Sequence, residues 1–223
     1  MNLEYEIVYS QRRTIGITVE RDRRVVVRAP SQARPETVAA AVERKRFWIW
    51  GKLRDPRKYP EKRPAKEFVT GETFLFLGQS FGLQLVREAR GEVRFDGRRF
   101  ELSRADLSEA RQLFGAWYLA QARAHLAPRV ATVARAMGIG FKRIAVREMK
   151  YRWGSCTPGG TLTFNWRIVQ APTMVVDYLI VHELAHVLEP NHSGAFWNIV
   201  AVHVPAWARA KDWLRRHGSR LEW

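Results

Sequence analysis

Over the first hundred residues the apolar positions recur mostly with a period of two. Ile15, Ile17 and Val19 alternate with polar residues, Arg21-Asp22-Arg23 is expected to turn the chain, and Val25 to Val27 form a second strand closed by Pro30. Pro35 suits the first turn of a helix. Val38, Ala41, Val42, Lys45 and Ile49 follow at helical spacing, which predicts one helix over 35–53 with Lys45 as the polar intrusion in its stripe. Segment 55–66 holds three prolines among basic residues and reads as a connection. Strand signals return over 67–70, 73–77 and 81–86, separated by Gly71 and Gly78, and over 93–95 and 99–102, which flank the turn pair Asp96-Gly97.

At Ser103, a candidate N-cap, the period lengthens to about 3.6. Leu107, Ala110, Phe114, Trp117, Tyr118 and Leu126 fall at helical spacing, Pro128 is expected to kink or restart the helix, and Val130, Val133, Ala134 and Met137 carry it to a stop at Gly138. Strands are expected over 142–149 and 161–165. Pro172 then opens a helix with the wide apolar stripe Val175, Val176, Leu179, Ile180, Leu184 and Val187, ended by Pro190-Asn191. Ser193 is placed to cap the next helix, and Pro205 to start the last one, which ends near Gly218. The pattern predicts an α+β chain. A mainly β region over 1–103 contains one helix and the basic, Pro-rich connection, and the region 104–223 is largely helical and carries the chemistry.

Composition narrows the class. A chain of 223 residues, 46% apolar and 27% charged, suits one large or two small globular domains with cores that need no staples. The single cysteine, Cys156, excludes an internal disulfide framework and suits a reducing compartment. No apolar run has the length of a transmembrane helix, and the first residues lack a signal peptide's apolar block, so a soluble cytoplasmic protein is expected. The net charge is +16, from 38 Lys and Arg against 22 Asp and Glu. Half of it falls between Arg44 and Lys66, where ten basic residues meet two acidic ones and Trp48, Trp50 and Tyr59 are interleaved. Such a surface attracts polyanions by counterion release. Arg44, Lys45, Arg46, Lys52 and Arg54 are therefore candidate contacts to nucleic acid or a nucleotide, beside the plainer reading of a solvated basic face.

The helix opened by Pro172 contains His182-Glu183-Leu184-Ala185-His186, an H-E-x-x-H motif. Residues four apart share a helix face, so two imidazoles can converge on one metal ion while Glu183, about 100° round the helix, reaches a water on it. Imidazole suits zinc, and a catalytic zinc keeps one position open. His192 is the candidate third ligand, with Glu189 as its rival. The spacing His182, His186, His192 is that of metzincins, but Glu189 stands where they have glycine, and no Met-turn follows. His125, His203 and His217 read as structural, and Cys156 as a small buried residue rather than a soft ligand. The patch Tyr151-Arg152-Trp153-Gly154-Ser155-Cys156 reads either as a shaper of a substrate cleft or as a tight turn around a core tryptophan.

Two runs carry a resemblance: K-Y-R-W-G-S-C-T-P-G-G-T-L-T-F-N-W-R-I-V-Q-A-P from Lys150, and D-Y-L-I-V-H-E-L-A-H-V-L-E-P-N-H-S-G-A-F-W from Asp177. Together they resemble the YgjP-like metallopeptidase-domain proteins, which are related to the SprT-like and WLM zinc peptidases. Arg152 stands where this family often has Ser. The resemblance implies a compact zincin-like α+β catalytic domain, zinc held by His182, His186 and His192, and Glu183 as general base. Arg152, Trp153, Ser155 and Asn165 are candidate substrate-binding residues on the same runs.

The leading expectation is a zinc-dependent metallopeptidase acting on a peptide or protein. One alternative keeps the metal and changes the substrate, to nucleotides or to proteins bound to nucleic acid. Another is a non-enzymatic nucleic-acid-binding module around a structural zinc, which requires a closed, four-ligand site.

Overall fold

The computed structural model describes residues 3–20, 24–54, 65–88, 91–150 and 152–222. The expected turn at Arg21-Asp22-Arg23, residues 55–64 of the Pro-rich connection, and Tyr151 lie outside them. No helix among the described residues is long and apolar enough to cross a membrane. The chain is α+β and divides into two compact units, Met1–Pro64 and Ala65–Trp223.

In the first unit, β1 (Glu6–Ser10), β2 (Gly16–Val19) and β3 (Val25–Pro30) form a sheet of order β1-β3-β2. β3 runs parallel to β1, with Glu6 opposite Val26, and antiparallel to β2, with Val19 opposite Val25. Two helices follow, α1 (Pro35–Arg44) and α2 (Arg46–Leu53), where the spacing predicted one. The break falls at Lys45, whose φ of −98° and ψ of 5° leave the helical region. That position is the polar intrusion in the stripe: Val42 and Ile49 are buried with Val25, Val27, Ala29 and Val38, while Lys45 stays exposed.

The second unit begins without the strand expected over 67–70. Phe68 has φ 56°, outside the β region, and its N–H donates to Glu72 Oε2 at 2.6 Å. Strands β4 (Thr73–Phe76), β5 (Gln79–Val86), β6 (Arg94–Phe95) and β7 (Arg99–Ser103) then form a sheet of order β4-β5-β7-β6. A two-residue turn at Leu77-Gly78, both with positive φ, joins β4 to β5. Its N–H groups donate to the carbonyls of Val169 and Gln170 at 2.8 and 3.1 Å, which ties the hairpin to the short 3₁₀ helix Trp166–Gln170.

Ser103 caps a 3₁₀ turn, its Oγ accepting from Ala105 N, and that turn leads into α3 (Ala110–Met137). The change of period at Ser103 is a change of secondary structure inside the second unit. Phe74 and Phe100 of the sheet share one core with Phe114 and Tyr118 of α3, and Phe74 stacks on Phe114 at 4.1 Å. The helix passes through Pro128 unbroken, because Leu126 and Val130 on either side are anchored in the core. Its buried positions recur at every fourth residue, from Ala110 through Phe114, Tyr118, Ala122, Leu126 and Val130 to Ala134. Each step of four drifts about 40° round the helix, so the buried stripe winds around α3 and meets different neighbours along its length.

The remaining strands, β8 (Arg143–Arg147), β9 (Gly154–Cys156) and β10 (Thr161–Asn165), form a third sheet of order β8-β10-β9. β9 is therefore an edge strand, paired antiparallel to β10 with Gly154 opposite Phe164. Beside it runs α4 (Thr173–Leu188), followed by α5 (Gly194–His203) and α6 (Trp207–His217). Ser193 caps α5 as expected, its Oγ accepting from Phe196 N at 3.3 Å.

Candidate metal centre

His182 and His186 lie one turn apart on α4, and His192 follows in the loop before α5. Each offers one ring nitrogen, and the three nitrogens lie within 4.8 Å of one another. No fourth His, Cys, Asp or Glu joins the group among the described residues. Burial, reinforced by His186, His192 and the Lys211 ammonium, pushes the His182 pKa down to about 3, and burial with His186 and Lys211 lowers that of His192. These rings are thus held neutral with a lone pair available, which is the state a metal ligand needs.

The surroundings orient the rings. His186 Nδ1 lies 3.2 Å from the Glu189 carbonyl, so a proton on Nδ1 leaves Nε2 as the ligating atom. Tyr178 Oη sits 3.5 Å from His182 Nδ1, and Nε2 of His182 faces Nε2 of His192 at 3.1 Å. Two bare nitrogens at that separation repel unless a proton or a cation lies between them, and the donor set fits zinc. Glu189 contributes its carbonyl to His186, its carboxylate accepts from Asn191 N, and it is not among the residues whose donor atoms converge. The helix ends at Glu189 in an extended conformation, with φ −133° and ψ 103°, and the chain turns His192 back towards α4 without the glycine of metzincins.

Glu183 is 4% exposed. Burial pushes its pKa up to about 8, and the Arg152 guanidinium opposes that shift. Gly154 on β9 makes room for it: a Cβ there would sit 2.7 Å from Glu183 Cγ and Cδ. This is the physical reason for a glycine at that point of the W-G-S-C run, and spacing along the chain gave no sign of it. Phe196 was also missed. It is fully buried under the site, its ring 4.6 to 4.9 Å from all three imidazoles, and Trp197 stacks on His192 at 5.7 Å.

The candidate substrate residues separate. Arg152 is exposed and acts electrostatically on Glu183, and Ser155 sits on β9 opposite Thr163. Trp153 packs against Gly218, its Cζ2 3.1 Å from where a Cβ would be. Asn165 is buried and turned to structural use. Its Nδ2 donates to the Met149 and Arg152 carbonyls, and its Oδ1 accepts from Arg167 N, so it positions the segment that carries Arg152. Burial and Glu183 raise the Cys156 thiol, and Cys156 does not join the metal group. His125, His203 and His217 also stand apart from it. Arg44, Lys45, Arg46, Lys52 and Arg54 all belong to the first unit.

The YgjP-like metallopeptidase-domain family model matches residues 13–217. The chain belongs to this family. The match runs through both compact units, so the first is part of the YgjP-like region and not an appendage to it. No curated protein matches the sequence. A crystal structure of the metallopeptidase zymogen of Pyrococcus abyssi abylysin is similar at 23% identity and a TM-score of 0.39, covering 44% of this chain and 95% of that one.

Proposed function

We propose that this YgjP-like protein is a zinc-dependent peptidase that hydrolyses amide bonds in peptides or proteins. The observation that carries the reading is the convergence of three imidazoles beside a buried carboxylate, with no fourth ligand among the described residues. A structural zinc is closed by four protein ligands, whereas a catalytic zinc keeps a position for water. His182, His186 and His192 would hold the zinc, which would supply Lewis acidity towards a scissile carbonyl and a water.

The chain's own groups do the rest. Glu183, enclosed by α4 and Gly154, takes the proton of the attacking water and delivers it to the leaving amine. Its raised pKa fits a group that must both accept and return a proton near neutrality. Tyr178 is buried with its hydroxyl 3.5 Å from His182 Nδ1, which suits it to orient that ring. An extended peptide can add to the open edge of β9 by backbone hydrogen bonds, which carries it past Glu183. Arg152 is exposed beside that path. The lone free Cys156 suits a reducing, cytoplasmic setting.

Metal analysis of the wild type beside His186→Ala, with hydrolysis of a mixed peptide library, tests this. The wild type should carry stoichiometric zinc and cleave peptides, and His186→Ala should do neither. Glu183→Gln should keep the metal and lose turnover by about 10²-fold or more. A Glu183→Gln variant as active as its parent removes the base assignment. Hydrolysis of nucleoside triphosphates with no peptide turnover moves the site to another substrate class.

A further inference from the structure

The first unit holds a second feature, independent of the histidines. Residues 1–64 carry sixteen basic against eight acidic residues, half of the chain's net charge in well under a third of its length. Three of its carboxylates are engaged by arginines: Glu6 with Arg24 at 3.3 Å, Glu20 with Arg28 at 3.2 Å, and Glu43 with Arg46 at 2.8 Å. Arg44, Lys45 and Lys52 pair with no carboxylate among the described residues.

Two of these cations, Arg44 and Lys45, line a groove of about 870 Å³ together with Thr14 and Ile15 just before β2, Ile17 on β2, Ala41 on α1 and Trp48 on α2. Lys45, Trp48 and Lys52 fall three and four residues apart, so they share one side of α2. The Lys52 ammonium lies 5.7 Å from the centre of the Trp48 ring. Trp48 is 43% exposed and its neighbour Phe47 85% exposed, while Ile49 is the buried residue of α2. An apolar floor with an aromatic wall and a cationic rim has two chemical demands. The rim calls for anions, and the floor and ring call for a flat, largely apolar surface. An acidic peptide meets the first alone. A duplex presents phosphates but keeps its base faces stacked inside. Unpaired bases on a phosphate backbone meet both.

We propose that the groove between β2 and the α1–α2 junction binds single-stranded nucleic acid, with Trp48 stacking a base and Arg44, Lys45 and Lys52 holding phosphates. The site is made entirely by the first unit, so it stands or falls apart from the peptidase reading.

Fluorescence anisotropy of a fluorescein-labelled oligothymidylate titrated with the full chain tests it. Saturable binding is expected at low salt, with log K falling against log salt at a slope of about −2, as three phosphate contacts on a single strand give. Trp48→Ala should weaken binding about tenfold. Arg44→Glu with Lys45→Glu should weaken it at least as much and flatten the slope. Trp48, Arg44 and Lys45 are exposed, so the far-UV spectrum, melting temperature and metal content of the variants should match the parent's. The proposal fails if the oligonucleotide does not bind at low salt, or if Trp48→Ala binds as the parent does. Equal affinity for a duplex of the same length also overturns it, as does equal displacement by polyglutamate, which would mark the face as a dock for acidic proteins.

Discussion

Where β9 passes α4, Gly154 has room for a hydrogen and nothing larger, because the Glu183 side chain occupies the space a methyl group would take. A buried carboxylate beside a metal site has little freedom to step aside, so Gly154→Ala should displace Glu183 and leave the three imidazoles where they are. Misplacing a catalytic group by about 1 Å costs on the order of 10²-fold in rate. Turnover is therefore expected to fall by about that factor at unchanged zinc content, measured by steady-state peptide hydrolysis and metal analysis on the same preparation. Loss of zinc in Gly154→Ala would mean that the strand supports the ligands and not the base. Phe196 acts at the same scale in a different way. Its ring packs against all three imidazoles and limits their rotation, as a preorganised metal site requires.

Among the elements, α4 is held from several sides. Arg129 on α3 forms a two-bonded ion pair with Asp177 near its start, its apolar face joins the main core, and the hairpin β4–β5 meets the chain just before it. At the hairpin tip Gly78 has φ 83°, and a Cβ there would lie 2.7 Å from Pro172 Cα, the residue that opens α4. Backbone cannot yield as a flexible side chain does. Gly78→Ala thus combines an unfavourable φ with a clash, and should destabilise the protein by more than about 1 kcal/mol. Chemical denaturation followed by tryptophan fluorescence reads this directly, and an unchanged midpoint would show that the hairpin does not brace the helix. Gly71, also at positive φ but with open space where a Cβ would go, is the control.

For the molecule as a whole, the candidate metal site and the core of the second unit are one structure, since α4 contributes both two of the three histidines and a buried apolar face. A cation that binds only the folded chain stabilises it by mass action, by about 2.7 kcal/mol at a hundredfold excess over Kd. Chelation should therefore lower the melting temperature of the wild type by roughly 5–10 °C. His186→Ala should melt at the same temperature with and without chelator. A wild type indifferent to chelation would show that the folded chain does not take up the cation. The charge of the first unit acts at this scale too, through the field it presents to polyanions.

What could be read along the chain was whatever depends on local spacing. His182 and His186 were legible as a pair because a helix fixes residues four apart on one face, and the apolar run around them made the helix secure. Ser103, Gly138 and Ser193 were legible as helix ends because caps are local hydrogen-bonding problems. A restart at Pro128 was one of the two local expectations there, and the helix instead runs on, because the anchoring of Leu126 and Val130 is not local. The same holds for Lys45, where one polar residue in an apolar stripe ended a helix that spacing alone would have continued. Only the tertiary structure decided that Gly154 lies against Glu183, that Phe196 underlies three imidazoles, and that Asn165 spends its amide on the backbone. It also decided that the strands from β4 to β7 share a core with α3. Periodicity records which face of an element is buried, but the identity of what covers that face is set by chain reversals, and these bring together residues whose separation in sequence carries no periodic signal.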